Sequence, residues 1–205
     1  MISTINIFAR KIPKRLIYFF FVLPIPYFFY SAQTGSMGVE PIKVLEREMG
    51  QITLQLIIVG PAITPLRKFF GLNLLKFRRT FGLLAFTYVV VHFGIWVFLD
   101  MNLRWGQMWA DIWKRPFITL DTAAFLMMIP LAVTSNNVPL QKLGGSMWCK
   151  LHKLVYLTAF LGNMHFIMVQ KVWEVKPFLY LTVTLVLLTV RYNPLQKATG
   201  VSAGG

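Results

Sequence analysis

Cysteine is all but missing from this 205-residue chain: Cys149 stands alone, so no intrachain disulfide can brace the fold. Charge is scarce as well. Charged residues make up 14% of the sequence and hydrophobic ones 56%, whereas a water-soluble domain needs roughly 25% charged residues to cover its surface. With a mean hydropathy of +0.60, a globular domain dissolved in water is excluded. Acids are the scarcest charges, seven against 21 basic residues, for a formal net charge of +14. The cations are scattered between long apolar runs and form no basic face, which excludes a nucleic-acid partner. Nucleophile–base arrangements, paired carboxylates and phosphate-cradling glycine motifs are lacking too, and Gly144-Gly145 reads as a turn. Nothing here points to bond-making chemistry by the chain itself.

What is present is membrane-spanning sequence. Six uncharged stretches approach the roughly 20 residues that cross a bilayer. They are 16–39, kinked by Pro24 and Pro26; 49–66, ending at Pro65; 80–99; 122–133, which extends an apolar segment from Pro116 past Asp121; 154–170; and 177–190. The last is short and relies on Lys176 and Arg191 snorkelling to the interfaces. A signal peptide is the alternative reading of the first run, but its two prolines and many aromatics do not resemble a simple signal core. The expected fold is all-α, a single membrane domain of about six transmembrane helices over 1–192, followed by a disordered tail, 193–205.

Charge orients this bundle. With the N-terminus inside, the inner segments hold Arg10, Lys11, Lys14 and Arg15, then Arg67, Lys68, Lys76, Arg78 and Arg79, then Lys142, Lys150 and Lys153, then Arg191 and Lys197. No acid lies among them. The outer segments hold the other seven cations and all seven acids, including Asp100, Asp111, Asp121 and Glu174. That bias obeys the positive-inside rule and places both termini in the cytoplasm. Trp96, Trp105, Trp109, Trp113 and Trp173 then gather at the outer interface as a lipid-facing aromatic belt.

Only three histidines occur. His92 lies on the third span and His165 on the fifth, and counting helix rise from the inner boundary puts both in the outer half at similar depth. An ionisable residue inside a membrane is costly and faces the bundle interior or a functional path. Two readings stay open: an imidazole pair clamping a haem, or two interhelical hydrogen bonds. Closed zinc sites want four ligands, and Cys149 is remote from the pair. His152 stands at the cytoplasmic start of the fifth span, thirteen residues before His165. That spacing points the two rings to different sides of an ideal helix, so either the helix is bulged near Gly162 or they serve different sites. Asp121 reads as a charge contact at the start of the fourth span.

Several segments together resemble a known family. They are EPIKVLEREMG at 40–50, ITPLRKF at 63–69, RRTFGLLAFTYVVVHF at 78–93, RPFITLDTAAFLMMIPLAVTS at 115–135, KLGGSMWCKLHKLVYLTAFLGNMHF at 142–166 and LLTVRY at 187–192. In this order they are similar to the haem-binding membrane subunits of the protein-methionine-sulfoxide reductase system, the MsrQ family, within the ferric-reductase-like transmembrane group. The resemblance implies a carrier of one or two b-type haems in a bacterial inner membrane. Its electrons would come from the quinone pool or a cytosolic flavin reductase. They would pass to a periplasmic molybdopterin-containing methionine sulfoxide reductase. FMN is attributed to the family as well. His92, His152 and His165 match the family's three histidines and are the implied iron ligands. The wider group has two histidines on each of two helices; here the inner position on the third span is Arg78 or Arg79. These guanidiniums suit haem propionates or a flavin phosphate, or serve as positive-inside anchors. Two other classes compete: a small proton-coupled transporter, and a non-redox membrane anchor. Colour separates them, because only a haem carrier is red.

Overall fold

The computed structural model describes residues 2–170, 172 and 174–192, and every regular element among them is helical. The expected tail, 193–205, and Trp173 lie outside the described residues. In chain order the α-helices are α1 (Ile2–Lys11), α2 (Lys14–Val22), α3 (Pro24–Gln33), α4 (Pro41–Phe70), α5 (Arg78–Ile95), α6 (Trp105–Lys114), α7 (Pro116–Val133), α8 (Asn137–Leu151), α9 (Leu154–Val169) and α10 (Val175–Tyr192). Four stretches are long and apolar enough to cross a bilayer: Lys14–Gln33, Pro41–Phe70, Leu75–Asp100 and Pro116–Val133. Leu154–Val169 and Val175–Val190 are shorter apolar helices. This is an all-helical, multi-pass membrane protein.

Local sequence sets the boundaries. The first span is broken at Leu23, where Pro24 removes a backbone donor, and it ends at Gln33 rather than 39. Gly35 and Gly38 take positive φ there and turn the chain. α4 runs through Pro61 and Pro65 instead of stopping at the second. It stops at Gly71, a left-handed residue whose N–H, with that of Leu72, caps the carbonyls of Arg67 and Leu66. α1, unforeseen from the sequence, is tied down by side chains: Asn6 pairs with the backbone of Gly71 and Asn73, and Lys76 donates to the carbonyls of Arg10 and Ile12. The expected Gly144-Gly145 turn is instead a kink within α8, where Gly144 alone is non-helical.

α4 packs chiefly on α5, and α7 chiefly on α9; α5 meets α7, α9 meets α4, and α10 leans on α4 and α9. The core between these helices is Leu45, Met49 and Ile57 of α4, Leu84, Tyr88 and Val89 of α5, Met128 of α7 and Ala159 of α9. Apolar side chains such as Phe19, Phe20, Leu126 and Leu179 face outward, as a bilayer solvent allows. Trp105, Trp109 and Trp113 project from α6 and are each about two-thirds exposed, but Trp96 is buried and leaves the expected belt. It begins a π-helical turn, Trp96–Asp100, that closes α5 and packs with Met101, Met108 and Ile118.

Candidate cofactor site

α5 and α9 bring His92 and His165 together. Their ring centroids are 6.3 Å apart and their planes stand at 79°. Each ring is held by its Nδ1, which shares a hydrogen bond of 2.8 Å with a backbone carbonyl: Glu46 of α4 for His92, Phe117 of α7 for His165. A carbonyl can only accept, so both Nδ1 atoms carry a proton, and in the neutral imidazole the lone pair is then left on Nε2. That is the tautomer a metal-ligating histidine needs, set by an outer partner. His92 is buried and His165 half-buried.

Room for the His92 ring depends on Gly50. A methyl group there would lie 3.0 Å from His92 Cε1 and 3.2 Å from Nδ1. Asp121 also borders the pair. It lies beyond the first turn of α7 and is no helix-start contact; its Oδ2 stands 3.6 Å from His92 Nε2, at ion-pair range and beyond a hydrogen bond. One ligand atom from each of His92, Asp121 and His165 falls within 4.8 Å of the others.

The three line a cavity of about 490 Å³, walled by Leu54, Ile57, Val89, Met128 and Phe166 and lined also by Arg47 and Glu174. That volume lies in the range of cofactor pockets, roughly 300–1,000 Å³. The imidazole pair fits a haem iron, while the Asp121 carboxylate, within 4.8 Å of both ligand atoms, has to turn aside to admit a porphyrin ring. Metal–imidazole bonds of about 2.0–2.1 Å on either side of one metal, added to the two ring radii, give a centroid separation close to that observed. Apolar walls on two helix pairs suit a porphyrin face.

His152 belongs to a different place. It caps α8 and precedes α9, which is regular through Gly162, so the thirteen-residue spacing crosses a helix break and involves no bulge. Its ring stacks on Trp148 at 3.8 Å, and its Nδ1 shares a hydrogen bond with the Trp148 carbonyl. Its Nε2 is buried with no hydrogen-bond partner, an orphan of the sort an absent ligand explains. Burial holds this imidazole below the usual histidine range, and the nearby charge of Arg78 pushes the same way against the Trp148 carbonyl. Arg78 is half-buried; Arg79 is exposed. Of the five residues singled out from sequence, the fold brings His92 and His165 together and puts Arg78 within electrostatic reach of His152, while Arg79 is exposed. Gly50 and the Glu46 and Phe117 carbonyls were missed. A glycine inside an apolar helix was the one available signal for the first; backbone carbonyls leave none.

An all-helical membrane domain with an imidazole pair fixed between two helix pairs defines the class. Residues 48–163 match the ferric reductase like transmembrane component family. The chain is 41% identical over 188 residues to the protein-methionine-sulfoxide reductase heme-binding subunit MsrQ of Agrobacterium fabrum, covering 88% of this chain and 87% of that one. It is 41% identical to the Caulobacter vibrioides protein of the same name (82% and 80% covered) and 38% to that of Brucella ovis (82% and 76%). No solved structure matches. The chain belongs to the MsrQ family of ferric-reductase-like transmembrane proteins.

Proposed function

We propose that this chain is a b-haem electron-transfer subunit of a bacterial inner membrane. It takes electrons from the quinone pool or a cytosolic flavin reductase and passes them to a periplasmic molybdopterin-containing methionine sulfoxide reductase that repairs oxidised proteins. One observation carries the haem reading: two imidazoles, 6.3 Å apart, each with its Nδ1 locked on a carbonyl and its Nε2 available. The relatives, named as heme-binding subunits of a protein-methionine-sulfoxide reductase, support the partner.

His92 and His165 hold the outer haem iron through Nε2. When bound, the haem supplies one-electron chemistry. The chain fixes the ligand tautomers, keeps water away with the walls of α4, α5, α7 and α9, and places the Asp121 carboxyl beside the ligand pair. Near the cytoplasmic face His152 supplies a ligand or stacking edge to a second cofactor, a haem or FMN, and Arg78 and Arg79 pair with its propionates or phosphate. Eleven residues of helix rise, from Leu154 at the start of α9 to His165, separate this inner end from the outer pair, roughly 17 Å, a span that an intermediate carrier divides. Residues 1–192 act as one domain that crosses the membrane six times with both termini cytoplasmic.

The test is to purify the chain in detergent, count haem and flavin per polypeptide, and reduce it. A Soret band that shifts on reduction with a sharp α band is expected. A colourless, flavin-free protein would return the chain to the transporter or anchor classes.

A further inference from the structure

The cavity around His92 and His165 changes character at its outer end. Imidazole and apolar walls give way there to Lys43, Arg47, Arg115 and Glu174. Arg47 differs from the other two cations in both position and geometry. It directly follows Glu46, whose carbonyl fixes His92, and it shares a helix face with Gly50, three residues on and beneath the His92 ring. Its Nη2 donates to both carboxylate oxygens of Glu174 at 3.0 Å, bridging from α4 to the start of α10 across the cavity mouth. Lys43, a turn further out, is more exposed and donates to Glu40 at 2.8 Å. Arg115 turns its Nε toward Asp111 of α6 at 3.4 Å.

A haem carries two carboxylates on one edge, and the cost of leaving a carboxylate unpaired beside apolar walls is high. With the iron between His92 and His165, the polar mouth is the end of the cavity that suits that edge. Guanidinium pairs with carboxylate more strongly than other cations because its donors match both oxygens. Glu174 presents the same chemical group that a haem would present. We propose that Arg47 is the propionate anchor of the outer haem, and that Glu174 is the carboxylate it exchanges for the propionate. This rests on the haem reading of the His92–His165 pair. The competing role is a latch, in which Arg47 and Glu174 simply fasten α4 to α10.

The two roles differ in what Glu174 does. Full-length Arg47→Gln, Arg47→Lys and Glu174→Gln proteins would be purified, and their haem content, rate of haem loss to apomyoglobin and resonance Raman propionate bending bands compared. Arg47→Gln is expected to lose haem about 10-fold to 100-fold faster, the range seen when a group supporting a metal ligand is removed, and to shift the propionate bands. Arg47→Lys recovers part of the retention. Glu174→Gln keeps haem at least as well as the wild type, since it removes a competing carboxylate. Equal haem loss in Arg47→Gln and Glu174→Gln would establish the latch and overturn the proposal, as would Raman bands unmoved in Arg47→Gln. A wild-type protein without haem would overturn the carrier reading as well; a red wild type with an unaltered Arg47→Gln overturns only this one.

Discussion

The imidazoles of His92 and His165 meet edge to face, and each is tethered to the helix that packs most closely on its own. His92 of α5 is tied to Glu46 of α4, and His165 of α9 to Phe117 of α7. The site is therefore the seam between two helix pairs. Any cofactor held by both rings would fasten α4–α5 to α7–α9, so ligand binding and bundle cohesion are coupled.

Replacing either imidazole removes one side of that seam. His92→Ala and His165→Ala should each abolish the low-spin, bis-imidazole spectrum of the outer haem. Thermal unfolding should also begin at lower temperature than in the haem-loaded wild type. Absorption spectroscopy and a melting scan check both effects. If both variants kept full haem and an unchanged spectrum, the ligand assignment would be wrong.

Much of this was legible in the sequence. Apolar run lengths located the spans because a bilayer demands continuous apolar helix, and matched helix rise placed His92 and His165 together. The boundaries were less legible. Pro65 looked like a terminus, yet α4 passes it, and the stop lies at Gly71 where a left-handed residue can cap the carbonyls. Asp121 looked like a helix-start residue because its charge interrupts the apolar segment, yet α7 begins where that segment does, at Pro116. The Glu46 and Phe117 carbonyls were invisible in principle, since every residue has one and only the fold aims it. His152 was expected at the start of the fifth span and stands there, two residues before α9; that it also ends α8 was not legible, because no helix was expected over 137–151.

Gly50 gives the finest probe of ring placement. A methyl group at 3.0 Å from the His92 ring forces a shift of a few tenths of an ångström and disturbs the Nδ1 bond to Glu46. Gly50→Ala should retain the fold, weaken haem retention several-fold and alter the low-spin EPR g-values. Gly60→Ala, in the same helix with open space around its added methyl, is the control. It should be neutral or stabilising by about 0.5–1 kcal/mol through helix propensity. Identical EPR spectra for Gly50→Ala and wild type would show that Gly50 does not set the ring.

The inner position should be separable from the outer one. His152→Ala removes the orphan Nε2, and Trp148→Leu removes the indole that stacks on it at 3.8 Å and donates to the Thr134 carbonyl at 2.8 Å. Both variants should keep the outer haem spectrum while losing about one cofactor equivalent per chain. Donor-driven reduction should slow markedly in each. Cofactor counting and stopped-flow reduction measure these. Unaltered haem and flavin content together with unaltered reduction would leave His152 as an ordinary interfacial side chain.

Direction of electron flow depends on which face is cytoplasmic, and charge gives the expected answer. The loop after α4 carries Lys76 and leads into Arg78 and Arg79, whereas Glu40 lies before the start of α4, Asp100 at the far end of the π-helical turn that closes α5, and Glu174 before α10. Cations near span ends resist translocation, while acids contribute little to orientation. Reporter fusions after Phe70 and after Lys142 should therefore read cytoplasmic, and fusions after Asp100 and after Lys171 periplasmic. In that orientation the His92–His165 cavity opens toward the periplasm beside Arg47, within reach of a periplasmic acceptor, and His152 lies toward a cytoplasmic or quinone donor. A periplasmic signal from the Arg78–Arg79 loop would invert the molecule, put the histidine pair at the donor side, and reverse the proposed path.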